Sequence, residues 1–395
     1  MNHRELRPGI YSVGAIDWDR RLFDELIPLP HGTSYNAYLI KGSEKTALLD
    51  TVDPTKEHEL LANLEKLEVK NIDYVVSHHA EQDHSGTIPT ILKNYPKVKV
   101  VTNPKCKSML IDLLLIPDDK FITVSDGETV SLGNKTLEFI YTPWVHWPET
   151  MSTFLKEDKI LFSCDFFGSH LATSDLFVTE KPRAYELAKR YYAEIMMPFR
   201  TAIKKNLEKI KNYDIKMIAP SHGPVYNDPE FILDAYRDWI SDQVKNEVIV
   251  AYVSMHGSTK RMVDYFVNAL MEKGITVKPF NLTTTDIGEL AMALVDAATI
   301  VIASPTVIVG PHPHAVYAAY LANALRPKLK FASLIGSYGW GGKMVEQITG
   351  SLTNLNVEIL DPVVIKGHPK EEDFKSLSRL TDEILKKHRE IKLIS

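Results

Sequence analysis

Five side chains able to bind a metal fall within seven residues, His78-His79-Ala80-Glu81-Gln82-Asp83-His84. Imidazole nitrogens and carboxylate oxygens are the donors of transition-metal sites, and an ordinary polar loop rarely offers them at this density. Three more candidates stand apart: His146 after Thr142-Pro143-Trp144-Val145, Asp165 after Ile160-Leu161-Phe162-Ser163-Cys164, and His222 in Pro220-Ser221-His222-Gly223. Together these groups suffice for two metals. Asp165 is the natural bridge, because the two oxygens of one carboxylate can span a metal pair about 3.5 Å apart. His78 precedes the motif; strand alternation turns it away from His79, so it reads as a packed or hydrogen-bonded histidine. His170 either lines the site as a proton donor or hydrogen-bonding group, or serves only its loop. His31 reads as structural or exposed, and Cys164 as a small apolar core group.

Chemistry of this kind needs side chains delivered to one place, and the pattern around each candidate says how. The run Ile72-Asp73-Tyr74-Val75-Val76-Ser77 is strand-like, and Ser85-Gly86 followed by Ile88, Ile91 and Leu92 reads as a helix start. The cluster therefore belongs on a loop at the C-terminal end of a strand, where α/β proteins place their chemistry. Strands are expected at 9–14, 35–40 and 46–50, then at 98–102, 120–124, 136–141, 151–155, 160–163 and 217–219. Helices are expected at 56–67, after Asn103-Pro104 with Asn103 as N-cap, at 183–211 and at 229–244. Strands first, then strands interleaved with helices, imply a two-sheet α/β sandwich.

Near residues 243–247 the pattern changes to strict alternation of strand and helix, which divides the chain into domains of residues 1–245 and 246–395. Strands at 247–253, 275–280, 298–304, 330–336 and 357–365, a helix at 260–273 closed by Gly274, and a final amphipathic helix at 371–387 imply a doubly wound parallel sheet. Three polar loops follow its strands. Ser254-Met255-His256-Gly257-Ser258-Thr259 offers hydroxyls and N–H groups at a helix start, an anion cradle. Pro305-Thr306-Val307 and Ser337-Tyr338-Gly339-Trp340-Gly341 follow the third and fourth strands. His256, His312 and His314 read as loop or surface residues rather than metal ligands. No Gly-x-Gly-x-x-Gly with a following acidic residue is present, so a dinucleotide site is not expected.

The first half resembles the metallo-β-lactamase fold, an αββα sandwich whose usual motif is His-x-His-x-Asp-His, but Glu81 stands where that motif has its second histidine. A carboxylate there adds negative charge and a hard oxygen, which favours iron over zinc. His-x-Glu-x-Asp-His ahead of a flavodoxin-like domain is similar to the flavodiiron proteins (A-type flavoproteins). That resemblance implies His79, Glu81 and His146 on one iron, Asp83, His84 and His222 on the other, and Asp165 between them. It implies Asp50 as a buried aspartate that orients the ligand loop, and His84 as a ligand that turns away in parts of the family. It also implies FMN, with phosphate on Ser254 to Thr259 and ring between the Pro305-Thr306 and Tyr338-Gly339-Trp340 loops.

The activity so implied is reduction of dioxygen to water, of nitric oxide to nitrous oxide, or both. Two ferrous ions and reduced FMN together hold four electrons, which suits either reaction. A separate electron donor follows, either a rubredoxin-type protein or reduced coenzyme F420, as does a head-to-tail homodimer or a dimer of dimers. Two other classes to weigh are a zinc hydrolase or nuclease of the same fold that carries a flavodoxin domain, and a flavodoxin-like electron carrier whose first half is a docking module. The charge balance of 46 Lys and Arg against 51 Asp and Glu, a net −5, shows no basic surface for nucleic acid. No run has the length of a membrane span and no apolar leader opens the chain, so a cytoplasmic location is expected. The two cysteines, Cys106 and Cys164, make neither a disulfide framework nor the paired thiolates of a fused iron–sulfur module.

Overall fold

A computed structural model describes residues 3–394 of the chain. The chain forms two compact units, one running to Tyr192 with Phe199–Ile240, the other made of Ala193–Pro198 and the chain from Ser241 onward.

In the first unit, a seven-stranded sheet runs in the order Arg4–Arg7, Ile10–Ser12, Tyr38–Lys41, Thr46–Leu49, Tyr74–Val76, Lys99–Thr102 and Phe121–Thr123. Its last four strands are mutually parallel. A five-stranded sheet follows, in the order Thr129–Ser131, Thr136–Tyr141, Met151–Leu155, Ile160–Cys164 and Met217–Pro220, with only the last pair parallel. The two-residue side-chain period explains how the sheets meet. Leu49, Val76 and Val101 join Phe139, Leu155 and Phe162 in a core between the sheets. Their chain neighbours Leu48, Val75 and Val100 point the other way, onto Leu60, Leu64, Ile88, Ile91 and Leu110 of the covering helices. Fully burying one such aliphatic side chain is worth about 1.5–3 kcal/mol. This is the αββα sandwich expected.

The second unit is a parallel sheet in the order Thr276–Asn281, Lys245–Tyr252, Ala297–Val307, Phe331–Tyr338, then Glu358–Ile359 and Val363–Lys366. The first strand sits inside the sheet and its successor at the edge, so the crossovers cover both faces, the doubly wound arrangement. Among the described residues no helix is long and apolar enough to cross a membrane.

Four local expectations are corrected. The helix expected over 183–211 is interrupted: Lys181–Tyr191 passes into a π-turn at Tyr192–Met196 and a tight turn at Met197–Phe199 before Arg200–Ile210 resumes. Pro198 lacks the N–H that a continuous helix would use. The fifth strand is split by Asp361-Pro362 for the same reason. The metal cluster is not wholly loop, since Gln82–Ser85 forms a helical turn that carries Asp83 and His84. Pro305-Thr306-Val307 is not a loop but the end of a strand, which doubles back through Ile308-Val309 to pair with Gly310–Pro311.

A histidine fastens the last helix, Glu371–Glu390, to the second unit. His388 is fully buried; its Nδ1 lies 2.7 Å from Asn246 Oδ1 and its Nε2 2.8 Å from Thr299 Oγ1. Asn246 Nδ2 donates to Gly274 O, so its Oδ1 faces the ring as an acceptor. Nδ1 therefore carries the proton, and Nε2 accepts from the threonine hydroxyl. Burial pushes the pKa of His388 down to about 4, against about 6.5 in an unfolded chain. The unfolded chain takes up a proton that the folded one refuses, so this contribution to stability is whole above pH ~6.5 and drains away down to ~4. Thermal melts of the second unit between pH 4 and 7 should show that slope, and His388→Gln should flatten it.

Candidate functional site

Three strand ends and one long loop bring the candidate metal ligands together. His79 and Glu81 follow Tyr74–Val76, and Asp83 and His84 lie on the helical turn after them. His146 lies in the loop between Thr136–Tyr141 and Met151–Leu155. Asp165 follows Ile160–Cys164, and His222 follows Met217–Pro220. The backbone is bent hard at these exits. Asp50, Trp144, Cys164 and Phe167 all adopt left-handed φ, 54°, 65°, 55° and 69°, which non-glycine residues avoid unless the surroundings enforce it.

Donor atoms converge into two groups. In one, His79, Glu81, His146 and Asp165 offer ligand atoms all within 4.8 Å of one another; in the other, Asp83, His84 and His222 do. Asp165, a member of the first group, also reaches two histidines of the second. Its Oδ2 lies 3.5 Å from His146 Nε2 and 3.6 Å from His79 Nε2, while its Oδ1 lies 3.0 Å from His84 Nε2 and 3.4 Å from His222 Nε2. Glu81 Oε2 lies 3.0 Å from His79 Nε2 and 3.1 Å from His146 Nε2. His84 faces inward here. Both carboxylate oxygens of Asp83, His84 Nε2 and Asp165 Oδ2 are buried without a hydrogen bond, although they sit close to other ligand atoms. Buried polar atoms that converge yet do not bond one another are what a cation would satisfy. The residues therefore fit a pair of metal ions.

Each ligand is aimed by a neighbour. His79 Nδ1 donates to Glu149 Oε1 at 2.7 Å and His222 Nδ1 to the carbonyl of Ser34 at 2.6 Å, which leaves both Nε2 atoms pointing inward, where a metal would take the place of a proton. Glu149 also accepts from the N–H of Ala80, and its carbonyl accepts from Asn103 Nδ2. Asn103 in turn caps the helix Pro104–Leu114 by accepting from the N–H of Cys106, as expected. Asp50 accepts from the N–H of His78 and lies 2.7 Å from His78 Nδ1, and the hydroxyl of Ser221 points at it. It braces two ligand loops without reaching the metal groups. His78 spends its other nitrogen on Thr153 Oγ1, facing away from the site. The hydroxyl of Tyr191 donates to Asp165 Oδ1 at 3.0 Å.

Charge follows geometry. Burial alone would strip protons from the histidines, yet the nearby carboxylates of Asp165 and Glu81 hold His146 up at about 9. The nearby carboxylates of Asp165 and Asp83 likewise hold His222 up at about 10. Against the same burial penalty, His79 is raised well above its usual range by Glu149 and Glu81, and Asp165 is held well below its own by His84, His146 and His222. The cluster is built to hold positive charge, so metal binding there releases protons. His170 behaves otherwise. Its Nδ1 lies 2.9 Å from Thr33 Oγ1, its ring lies 5.0 Å from that of His222, and burial together with His222 pushes its pKa well down. It lines the site as a neutral ring whose Nε2 has no partner. Cys164 is buried as expected, but its thiol also lies within 4.8 Å of ligand atoms of His84 and Asp165; burial raises its pKa well above the usual thiol range, so it stays protonated. His31 is exposed.

Glu149 escaped the sequence reading. Its only signal there is an acidic residue in Trp147-Pro148-Glu149-Thr150, three positions past His146.

In the second unit, a cleft at the strand ends is lined by Ser254, Met255, His256, Ser258, Thr259, Pro305, Thr306, Ser337, Tyr338 and Gly339, with Gly367 added from a fourth loop. Gly257 supplies the left-handed turn, φ 87°, that opens the helix Ser258–Glu272. The buried hydroxyls of Thr259 and Ser337 lie 3.0 Å apart. No lysine or arginine lines this lobe, so an anion there rests on hydroxyls and N–H groups. A second lobe shares Thr306 and Tyr338 and includes Gly341. Val307 and Trp340 line neither lobe, and Trp340 is 72% exposed.

A family model described as ODP family beta lactamase matches residues 33–223. The chain is 37% identical to the nitric oxide reductase of Moorella thermoacetica over 93% of this chain and 94% of that one. It is 33% identical to the coenzyme F420H2 oxidase of Methanothermobacter marburgensis, over 87% and 89%. The solved structure of the rubredoxin oxygen:oxidoreductase of Desulfovibrio gigas superposes with a TM-score of 0.94 at 29% identity, covering 98% of both chains.

Glu149→Ala removes the acceptor that fixes the tautomer of His79. Loss of such a partner typically costs 10–100-fold in metal affinity, so competition against a chelator should show a drop of about that size with the fold retained.

Proposed function

Since the chain belongs to the flavodiiron proteins, we propose that it reduces dioxygen to water, nitric oxide to nitrous oxide, or both, at two irons held by residues 1–245 and supplied by FMN held by residues 246–395. It is an oxidoreductase, and the family's cofactors are FMN and a di-iron site. The observation that carries the reading is the pair of converging donor groups, with a carboxylate, Glu81, in the first and Asp165 turning one oxygen to the histidines of each.

On this reading His79, Glu81 and His146 hold one iron, Asp83, His84 and His222 the other, and Asp165 spans them. Ser254 to Thr259 hold the FMN phosphate, and the Pro305-Thr306 and Ser337-Tyr338-Gly339 segments border the ring. When bound, iron and reduced flavin supply the electrons and an open coordination position for the gas. The chain's own part is positional. Glu149 and Ser34 fix the histidine tautomers, Asp50 braces the ligand loops, and Tyr191 holds one oxygen of Asp165. His170, neutral and with its Nε2 free, is placed to hydrogen-bond a polar species next to His222.

The electron donor is a separate molecule, a rubredoxin-type protein or reduced F420, in keeping with the names of the relatives. A head-to-tail homodimer, or a dimer of dimers, accounts for exposed apolar groups on each unit, such as Leu26 and Trp144 on one and Ile308 and Trp340 on the other. A cytoplasmic location agrees with two cysteines that are both free and buried.

The deciding experiment counts iron, zinc and FMN in the purified protein and follows gas consumption by chemically reduced protein. About two irons and one FMN per chain, with dioxygen or nitric oxide consumed, is the expected result. Zinc in both positions with no flavin sinks the proposal. Glu81→His should raise zinc content at the expense of iron and abolish gas consumption, as metal analysis and an oxygen electrode would show. Thr259→Val should weaken FMN retention on dilution, since the buried hydroxyl beside Ser337 is lost; unchanged retention would count against this cradle.

A further inference from the structure

The cleft of the second unit has an uneven distribution of charge. Its first lobe, under the Ser254 to Thr259 loop, has no lysine, arginine, aspartate or glutamate in its lining. Its second lobe, joined to the first through Thr306 and Tyr338, is bordered by one cation and one anion, Lys343 and Glu346. Lys343 is placed by its backbone: its N–H donates to the carbonyl of Val309 at 3.0 Å, at the tip of the strand that doubles back from Thr306. Gly310 of the same hairpin lies close to the side-chain amide of Gln347, so the two segments bordering the second lobe pack together. No ion pair joins Lys343 to Glu346, and among the described residues the Lys343 ammonium has no carboxylate within 4.0 Å.

We infer that Lys343 sets the reduction potential of the flavin, by placing an unpaired positive charge beside the lobe into which the ring extends when the phosphate occupies the first. The inference rests on the FMN reading of this cleft. Oxidised FMN takes two electrons from the separate donor and one proton from solvent, and the reduced ring then carries one negative charge. A nearby ammonium favours that anion over the neutral oxidised ring, and a nearby carboxylate disfavours it. Glu346 therefore acts in the opposite sense.

The test is a spectroelectrochemical titration of FMN in iron-replete holoprotein, alongside FMN content per chain. Lys343 and Glu346 are both exposed, so water screens their charges; Lys343→Gln should lower the ratio of reduced to oxidised flavin at fixed potential by about threefold, a shift of ~15 mV to the negative for a two-electron couple. Lys343→Arg should keep the wild-type value, and Glu346→Gln should move it the other way. An unchanged potential in flavin-replete Lys343→Gln overturns the inference and leaves the cleft assignment standing, as does a shift of the same sign in both neutral variants. Should Lys343→Gln shed its FMN, the absence of a positive shift in Glu346→Gln overturns it alone. Wild-type protein that takes up no FMN overturns the cleft assignment and the inference together.

Discussion

A carboxylate at the centre of a protein needs positive charge on every side that water has left. Asp165 is 1% exposed and meets histidine nitrogens with both oxygens, two on each. An ion stripped of water without such neighbours costs several kcal/mol, so this residue is tolerable only where four imidazoles and the hydroxyl of Tyr191 converge. The left-handed turns, the helical turn that carries Asp83 and His84, and the bracing by Asp50 follow from that demand. They bring groups from distant parts of the chain to within ligand distance of one side chain, and hydrophobic packing between two sheets holds them there.

The two units solve opposite electrostatic problems. In the first, anions and imidazoles are packed so closely that protons or metal ions must sit between them. In the second, the cradle at the start of the helix Ser258–Glu272 is neutral, made from hydroxyls and N–H groups, and formal charge appears only at its far end, on Lys343 and Glu346. A metal centre gains from concentrated charge because the cation cancels it. A cofactor that changes its own charge in use gains from a neutral seat for the part that stays fixed.

The elements that carry the chemistry were legible because their patterns are strong. Val75 and Val76 alternate between helix-facing and sheet-facing cores, and Ile160 to Cys164 is apolar throughout, so the exits at His79 and Asp165 could be placed from sequence. Histidine and carboxylate spacing exposed the candidate ligands because few other roles need such groups beside buried strands. What stayed hidden depends on tertiary context. Glu149 looks like any loop acid until the fold sets it beneath His79. Pro198 and Pro362 mark breaks, but neither the π-turn that precedes one nor the split strand around the other follows from a proline alone. Trp340 stands in the loop after the fourth strand yet is exposed in the single chain, since nothing in local sequence says which way a loop side chain turns.

The candidate ligands come from both sheets: His79 and Glu81 from the seven-stranded one, Asp165 and His222 from the five-stranded one, 143 positions separating the first of them from the last. Ions seated between them would act as rivets through the sandwich, and the free energy of their capture would be added to whatever apolar burial already contributes to keeping the two layers shut. During synthesis the two rivets come in order: the donors of the first are complete once Asp165 has left the ribosome, whereas the second must wait for His222.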